Sequence, residues 1–127
     1  MISVSFSLCG GSAAFFQTVV SPIYAQAASH GQSIFISSGD WGAAGLIFNG
    51  SACVIASSRN VNELASDLNV TQVGGTQFNP IFNGFGNNMG QVAESVWNDS
   101  AIGGDATGGG VSAVYGKPGY QKGPGVT

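Results

Sequence analysis

Two short apolar runs separated by one amphipathic stretch place the strongest constraint on how this chain can fold. Ile2-Ser3-Val4-Ser5-Phe6 alternates apolar with polar residues and stops at Gly10-Gly11, which reads as a strand followed by a turn. Ser12 then stands where a helix cap belongs. Phe16, Val19, Val20, Ile23, Tyr24 and Ala27 recur at helical spacing up to about Ser29. Pro22 lies inside that stretch and is expected to kink the helix or split it into two turns. His30-Gly31 supplies an ending, a residue able to carry positive charge followed by a glycine free to turn left-handed. Ser33-Ile34-Phe35-Ile36-Ser37 is the second strand. Strands joined by a helical crossover run parallel, and such units wind right-handed, so the fold class is α/β with a parallel sheet.

Downstream, a glycine-rich connection occupies residues 42–58. A short helical turn is expected near Val61–Ser66, and a third strand at Val70-Thr71-Gln72-Val73 is closed by Gly74-Gly75. Thr76-Gln77-Phe78 reads as its continuation past the bend. Residues 79–110 are loop-rich around a brief strand at Val92–Trp97, and loops of that length in a compact domain form lids or binding walls. The last stretch, GGGVSAVYGKPGYQKGPGVT, carries a helical turn and two Pro-Gly punctuations, and nothing in it closes a domain. No internal repeat is evident.

Charge narrows the function classes. Only 7% of residues are charged, against a usual ~25%, yet 43% are hydrophobic, enough to fill a core, so disorder does not follow. The polar surface is uncharged Ser, Asn, Gln, Thr and Gly, which suits secretion and acidic media. Three basic residues (Arg59, Lys117 and Lys122) cannot neutralise several phosphates, so no nucleic-acid partner is expected. No apolar run approaches the ~20 residues of a membrane span, and the first eleven residues lack the basic and long apolar regions of a secretory signal. Cys9 and Cys53 form one disulfide if the chain is exported, or two buried thiols if it is not. With one histidine and two distant cysteines, no metal site is expected.

Ligands of open parallel sheets sit beyond the carboxyl ends of the strands. Asp40, one of six acidic residues, follows Ser37-Ser38-Gly39 at such an end. By spacing alone it is equally a turn-capping aspartate or an acid facing a reacting group. A sheltered carboxyl can hold its proton and donate a hydrogen bond. Cys9-Gly10-Gly11-Ser12, between strand and helix, is a weaker candidate for a phosphate cradle, because it lacks the third glycine of a dinucleotide fingerprint and the lysine of a P-loop. Glu94 and Asp99 read as solvated loop acids, and His30 as a helix-end residue. Asn49-Gly50-Ser51, Asn69-Val70-Thr71 and Asn98-Asp99-Ser100 satisfy the glycosylation pattern.

Four blocks occur in order: SVSFSLCG, YAQAASHGQSIFISSGDWGAAG, VNELASDLNVTQVGGTQF and GGGVSAVYGKPGYQKGPGV. Together they resemble the central part of the sedolisins, the serine-carboxyl peptidases, with GQSIFISSGD the most specific piece. The resemblance implies a subtilisin-like parallel sheet flanked by helices and secreted endopeptidase activity at acid pH through an acyl-enzyme, on a peptide or protein substrate. It implies that Asp40 is the protonated oxyanion donor that stands where subtilisins carry asparagine. Ser5-Phe6-Ser7 then matches the edge strand that pairs with substrate backbone. Ser37-Ser38-Gly39 matches the wall of the pocket for the residue before the scissile bond.

This sequence departs from the family pattern at three of these positions. Ser7 replaces the usual glycine and is expected to narrow the cleft, Gly10 replaces a glutamate, and Trp41 is expected to shield Asp40 or wall the pocket. The family pairs a cysteine of the first block with one just after the aspartate, and Cys53 lies somewhat beyond that position. Its glutamate–aspartate pair precedes the first block, and its nucleophilic serine, in a G-T-S motif, follows the last, as does its calcium site. Gly75-Thr76 is followed by Gln77 and is not that motif, while Ser112 has neither an elbow pattern nor a base beside it. By resemblance, residues 1–127 are therefore expected to be the central part of a catalytic domain that needs its remainder, inactive alone and without a cofactor of its own.

Overall fold

The computed structural model describes residues 1–90 and 92–124, so the last two residues of the fourth block lie outside the described residues. Strands β1 (Ile2–Val4), β2 (Ile34–Ser37) and β5 (Thr71–Val73) form a parallel sheet in the order β1-β2-β5. Val4 pairs with Ile36, and Ser37 with Val73. Alternation along β2 explains its place at the centre. Ile34 and Ile36 are buried while Phe35 and Ser37, on the other face, are half-buried.

The buried face packs against a helical run. It begins with α1 (Ala13–Phe15), capped by Ser12 Oγ accepting from the Phe15 N–H at 3.1 Å, as the sequence led us to expect. Phe16–Val20 follows as a π-helical turn, then α2 (Ser21–Ser29). Pro22 does not break the run, although a π-helical turn separates α1 from α2 just ahead of it. It sits in the first turn of α2, and the Ser21 N–H reaches back five residues to the Phe16 carbonyl, widening the turn ahead of a residue that cannot donate. The ending at His30 and Gly31 (φ +70°) is as expected. Phe16, Val20, Ile34, Ile36, Leu64 and Ala65 make the core, with Leu64 and Ala65 supplied by a 3-10 turn at Glu63–Ala65.

Two antiparallel ribbons depart from the sequence expectation. The 42–58 connection contains a hairpin, β3 (Leu46–Phe48) with β4 (Cys53–Ile55). Its tip is tied by Asn49 Oδ1, which accepts from the backbone N–H groups of Ser51 and Ala52 and from the Ser51 hydroxyl. The segment β6 (Thr76–Phe78) does not extend β5 but turns away at Gly74-Gly75 to pair with β7 (Glu94–Val96). The helical turn expected after Gly110 is absent among the described residues, where residues 111–124 run as bends and turns. Cys9 and Cys53 form a disulfide with Cα atoms 5.6 Å apart, joining the loop after β1 to β4. The molecule is a small α/β fold with mixed sheets. Among the described residues, no helix is long and apolar enough to cross a membrane.

Candidate functional site

The site is built where β1 and β2 end. β2 stops at Ser37, and Gly39 then takes φ +103°, a conformation costly for any side-chain-bearing residue, which turns the chain so that Asp40 follows at the rim. The Asp40 residue is exposed, and with Ser5, Ser37, Val73, Gly75 and Trp97 it lines a groove of about 460 Å³ on the sheet face opposite the helices. The groove wall is mostly apolar, and serine hydroxyls and one carboxyl are among its polar groups.

Asp40 is held through its backbone. Its carbonyl accepts from the Ala106 N–H at 2.8 Å, the Gly42 N–H donates to the Ala106 carbonyl at 2.9 Å, and the Gly108 N–H donates to the Gly39 carbonyl at 2.7 Å. Residues 106–108 are thus zipped along residues 39–42. A β-carbon at Gly108 would overlap the Ser38 carbonyl oxygen, so the first of the three glycines is needed for this close approach. Thr107 fixes the next layer, with its Oγ1 3.1 Å from Ser38 Oγ and accepting from the Gly75 N–H at 2.7 Å.

The sequence-derived residues fall into one region. Ser5-Phe6-Ser7 continues β1, an edge strand of the three-stranded sheet, beyond its last ladder pair. Ser7 and Gly39 are neighbours: a β-carbon on Gly39 would sit 3.5 Å from Ser7 Oγ, an ordinary contact distance. Ser38 is buried, Ser37 and Gly39 are half-buried, and Ser5 and Phe6 are exposed.

Trp41 neither shields Asp40 nor walls the groove. It bridges to Ala106, and the groove's indole belongs to Trp97. Trp97 is positioned by β7 and by its Nε1–H, which donates to Asp99 Oδ2 at 2.9 Å. Sequence reasoning did not single out Trp97, Thr107 or Asn62. The only local signal was for Thr107, which directly precedes the glycine triplet. Asn62, 5% exposed, donates through Nδ2 to the carbonyls of Phe6 at 3.2 Å and Ser37 at 2.9 Å.

Two other candidates look different in three dimensions. Ser112 does meet a carboxylate, contrary to the expectation from its sequence neighbours, because Glu63 is brought to it from 49 residues away. Its hydroxyl donates to Glu63 Oε2 and accepts from the N–H groups of Val114 and Tyr115 at 3.0 and 2.9 Å. Glu63 Oε1 accepts from the Ala113 N–H at 2.9 Å. With its proton and both lone pairs engaged, this serine holds a turn and has no electron pair free to attack. The Cys9–Ser12 segment has a packing explanation: a β-carbon at Gly10 would press on Phe48 and one at Gly11 on the Phe16 ring, while Ser12 itself fills the helix cap.

Beneath α2, Tyr115 donates to the Phe16 carbonyl at 3.1 Å, and burial together with the nearby Asp67 carboxylate pushes its phenol up to about 12. Glu94 accepts from Thr76 Oγ1 and Asp99 from Trp97, so the two loop acids serve separate partners. Among the described residues, no three His, Cys, Asp or Glu side chains gather where they could hold a metal ion. No protein-family model matches the chain, and no curated protein shows significant similarity to it.

Proposed function

We propose that this chain forms the central part of a sedolisin-type catalytic domain, a subtilisin-like serine-carboxyl endopeptidase that hydrolyses peptide bonds at acid pH through an acyl-enzyme. The observation that carries the proposal is the position of Asp40. It is held at the carboxyl end of the central strand, at the rim of a groove, in the one region where Ser5–Ser7 and Ser37–Gly39 also meet. That supports the residue set drawn from the motif resemblance.

In this scheme the substrate backbone pairs along Ser5-Phe6-Ser7, and its side chain rests against Ser37-Ser38-Gly39. A protonated Asp40 donates a hydrogen bond to the oxyanion of the tetrahedral intermediate. In the family, the attacking serine, its glutamate–aspartate base and the calcium site lie outside the segments that these four blocks resemble. Donation requires the proton, which accords with the acid-pH activity that the resemblance implies. The Cys9–Cys53 disulfide supports an exported protein, since such bonds persist in oxidising compartments.

The test is proteolysis by the protein at its full natural length. Asp40→Ala should lower kcat by roughly 10²–10³, the usual cost of losing one oxyanion donor. Asp40→Asn, a permanent donor, should carry activity to higher pH. Undiminished activity in Asp40→Ala would exclude this role. Peptide binding without cleavage by the unaltered protein would favour a non-catalytic peptide-binding homologue instead.

A further inference from the structure

We infer that Asn62 is the positioning residue of this cleft: its side-chain amide fixes the relative placement of the two strand ends against which a peptide rests, and so governs peptide affinity. The inference rests on the peptide-cleft reading of Ser5–Ser7 and Ser37–Gly39.

The ladder between β1 and β2 ends at Val4 and Ile36. Phe6 and the Ser37 carbonyl lie past that last pair. The amide of Asn62 joins them there. Its Nδ2 carries two protons and meets two acceptors, the Phe6 carbonyl at 3.2 Å and the Ser37 carbonyl at 2.9 Å. The orientation of the amide follows from its partners, since the reverse would set an oxygen against both carbonyls.

The mount is rigid. Val61, Leu64 and Ala65 are buried, and the Asn62 carbonyl accepts from the Ala65 N–H at 2.9 Å and from Ser66 Oγ at 3.1 Å. Glu63, the next residue, grips the 112–113 turn from the other side. Ser7 follows one tied carbonyl and Ser38-Gly39 the other, and a β-carbon on Gly39 would sit 3.5 Å from Ser7 Oγ. A neutral double donor is required at this place. A carboxylate there would point a charged oxygen at two carbonyls, and only on protonation would it regain one donor.

The experiment compares the full-length protein with its Asn62→Ala and Asn62→Asp variants, using a fluorescein-labelled uncharged decapeptide as probe and circular dichroism to confirm folding. Asn62→Ala should weaken binding about tenfold, the equivalent of one net hydrogen bond, and raise KM more than it lowers kcat. Asn62→Asp, of the same shape, should bind poorly at pH 7 and recover part of the loss near pH ~4, where its carboxyl takes up a proton. In labelled protein, peptide-induced amide shifts should centre on residues 5–7 and 37–39. If the unaltered protein binds no peptide, the cleft reading fails and this inference with it. If it binds and both variants bind within about twofold of it, a difference under 0.5 kcal/mol, Asn62 does not position the cleft. Loss of folding in both variants would also overturn the assignment, leaving a purely structural residue.

Discussion

Thr107 Oγ1 lies 3.1 Å from Ser38 Oγ while also accepting the Gly75 N–H at 2.7 Å, so one hydroxyl joins the wall after β2 to the bend after β5. Both connections are partly buried, and water cannot readily replace them. Thr107→Val keeps the shape and removes the hydroxyl, leaving a backbone donor and a serine hydroxyl unpaired. The expected cost is about 1–3 kcal/mol, read as a lower urea midpoint with unchanged slope. Thr107→Ser should restore most of it; equal midpoints for all three proteins would mean that the hydroxyl carries no such role.

Gly108 offers a sharper steric test. Its missing β-carbon leaves room for the Ser38 carbonyl, and no side-chain rotation could relieve the overlap, because the obstacle is backbone. Gly108→Ala should destabilise the protein by about 1–3 kcal/mol or more. Gly84 has nothing within 4 Å of that position and no positive φ, so Gly84→Ala should be neutral or stabilising by up to about 1 kcal/mol. Thermal melts of the two variants should therefore move in different directions or by clearly different amounts.

The Cys9–Cys53 disulfide closes a 44-residue separation, for which the chain-entropy estimate is about 4 kcal/mol. A Cys9→Ser, Cys53→Ser variant should lose stability of that order, and dithiothreitol should reproduce the loss in the unaltered protein. A reduced form that melts within a degree or two of the oxidised one would show that the ends of this loop are already held by other contacts.

Tyr115 links stability to alkaline pH. Its folded value, about 12, lies above the unfolded value of 10.0, because burial and then the Asp67 carboxylate disfavour the phenolate. A group raised in this way contributes its full stabilisation below pH 10 and loses it as pH climbs through 12, because the unfolded chain releases the proton first. Stability should fall across that window. Tyr115→Phe should flatten the fall, and absorbance titration at high pH should lose its latest-ionising tyrosine. An unchanged titration curve in the variant would rule out Tyr115 as the source.

What could be read from the sequence was local. The alternation of Ile34, Phe35, Ile36 and Ser37 defines a strand with one buried face, Ser12 and Gly31 bound the helical run, and the Ser-Ser-Gly-Asp series places a carboxyl past a strand end. Each depends on neighbours within a few residues, which is the range over which periodicity and capping act. The pairing of Thr76–Phe78 with Glu94–Val96, the Glu63–Ser112 grip and the choice of Trp97 over Trp41 at the groove were settled only when distant segments met. No pattern in the neighbouring sequence marks them, because their energy comes from hydrogen bonds and close packing between chain segments far apart. Asn62 shows the division most plainly. As a letter it is one asparagine among many, and only the folded chain sets its two protons against the carbonyls of Phe6 and Ser37.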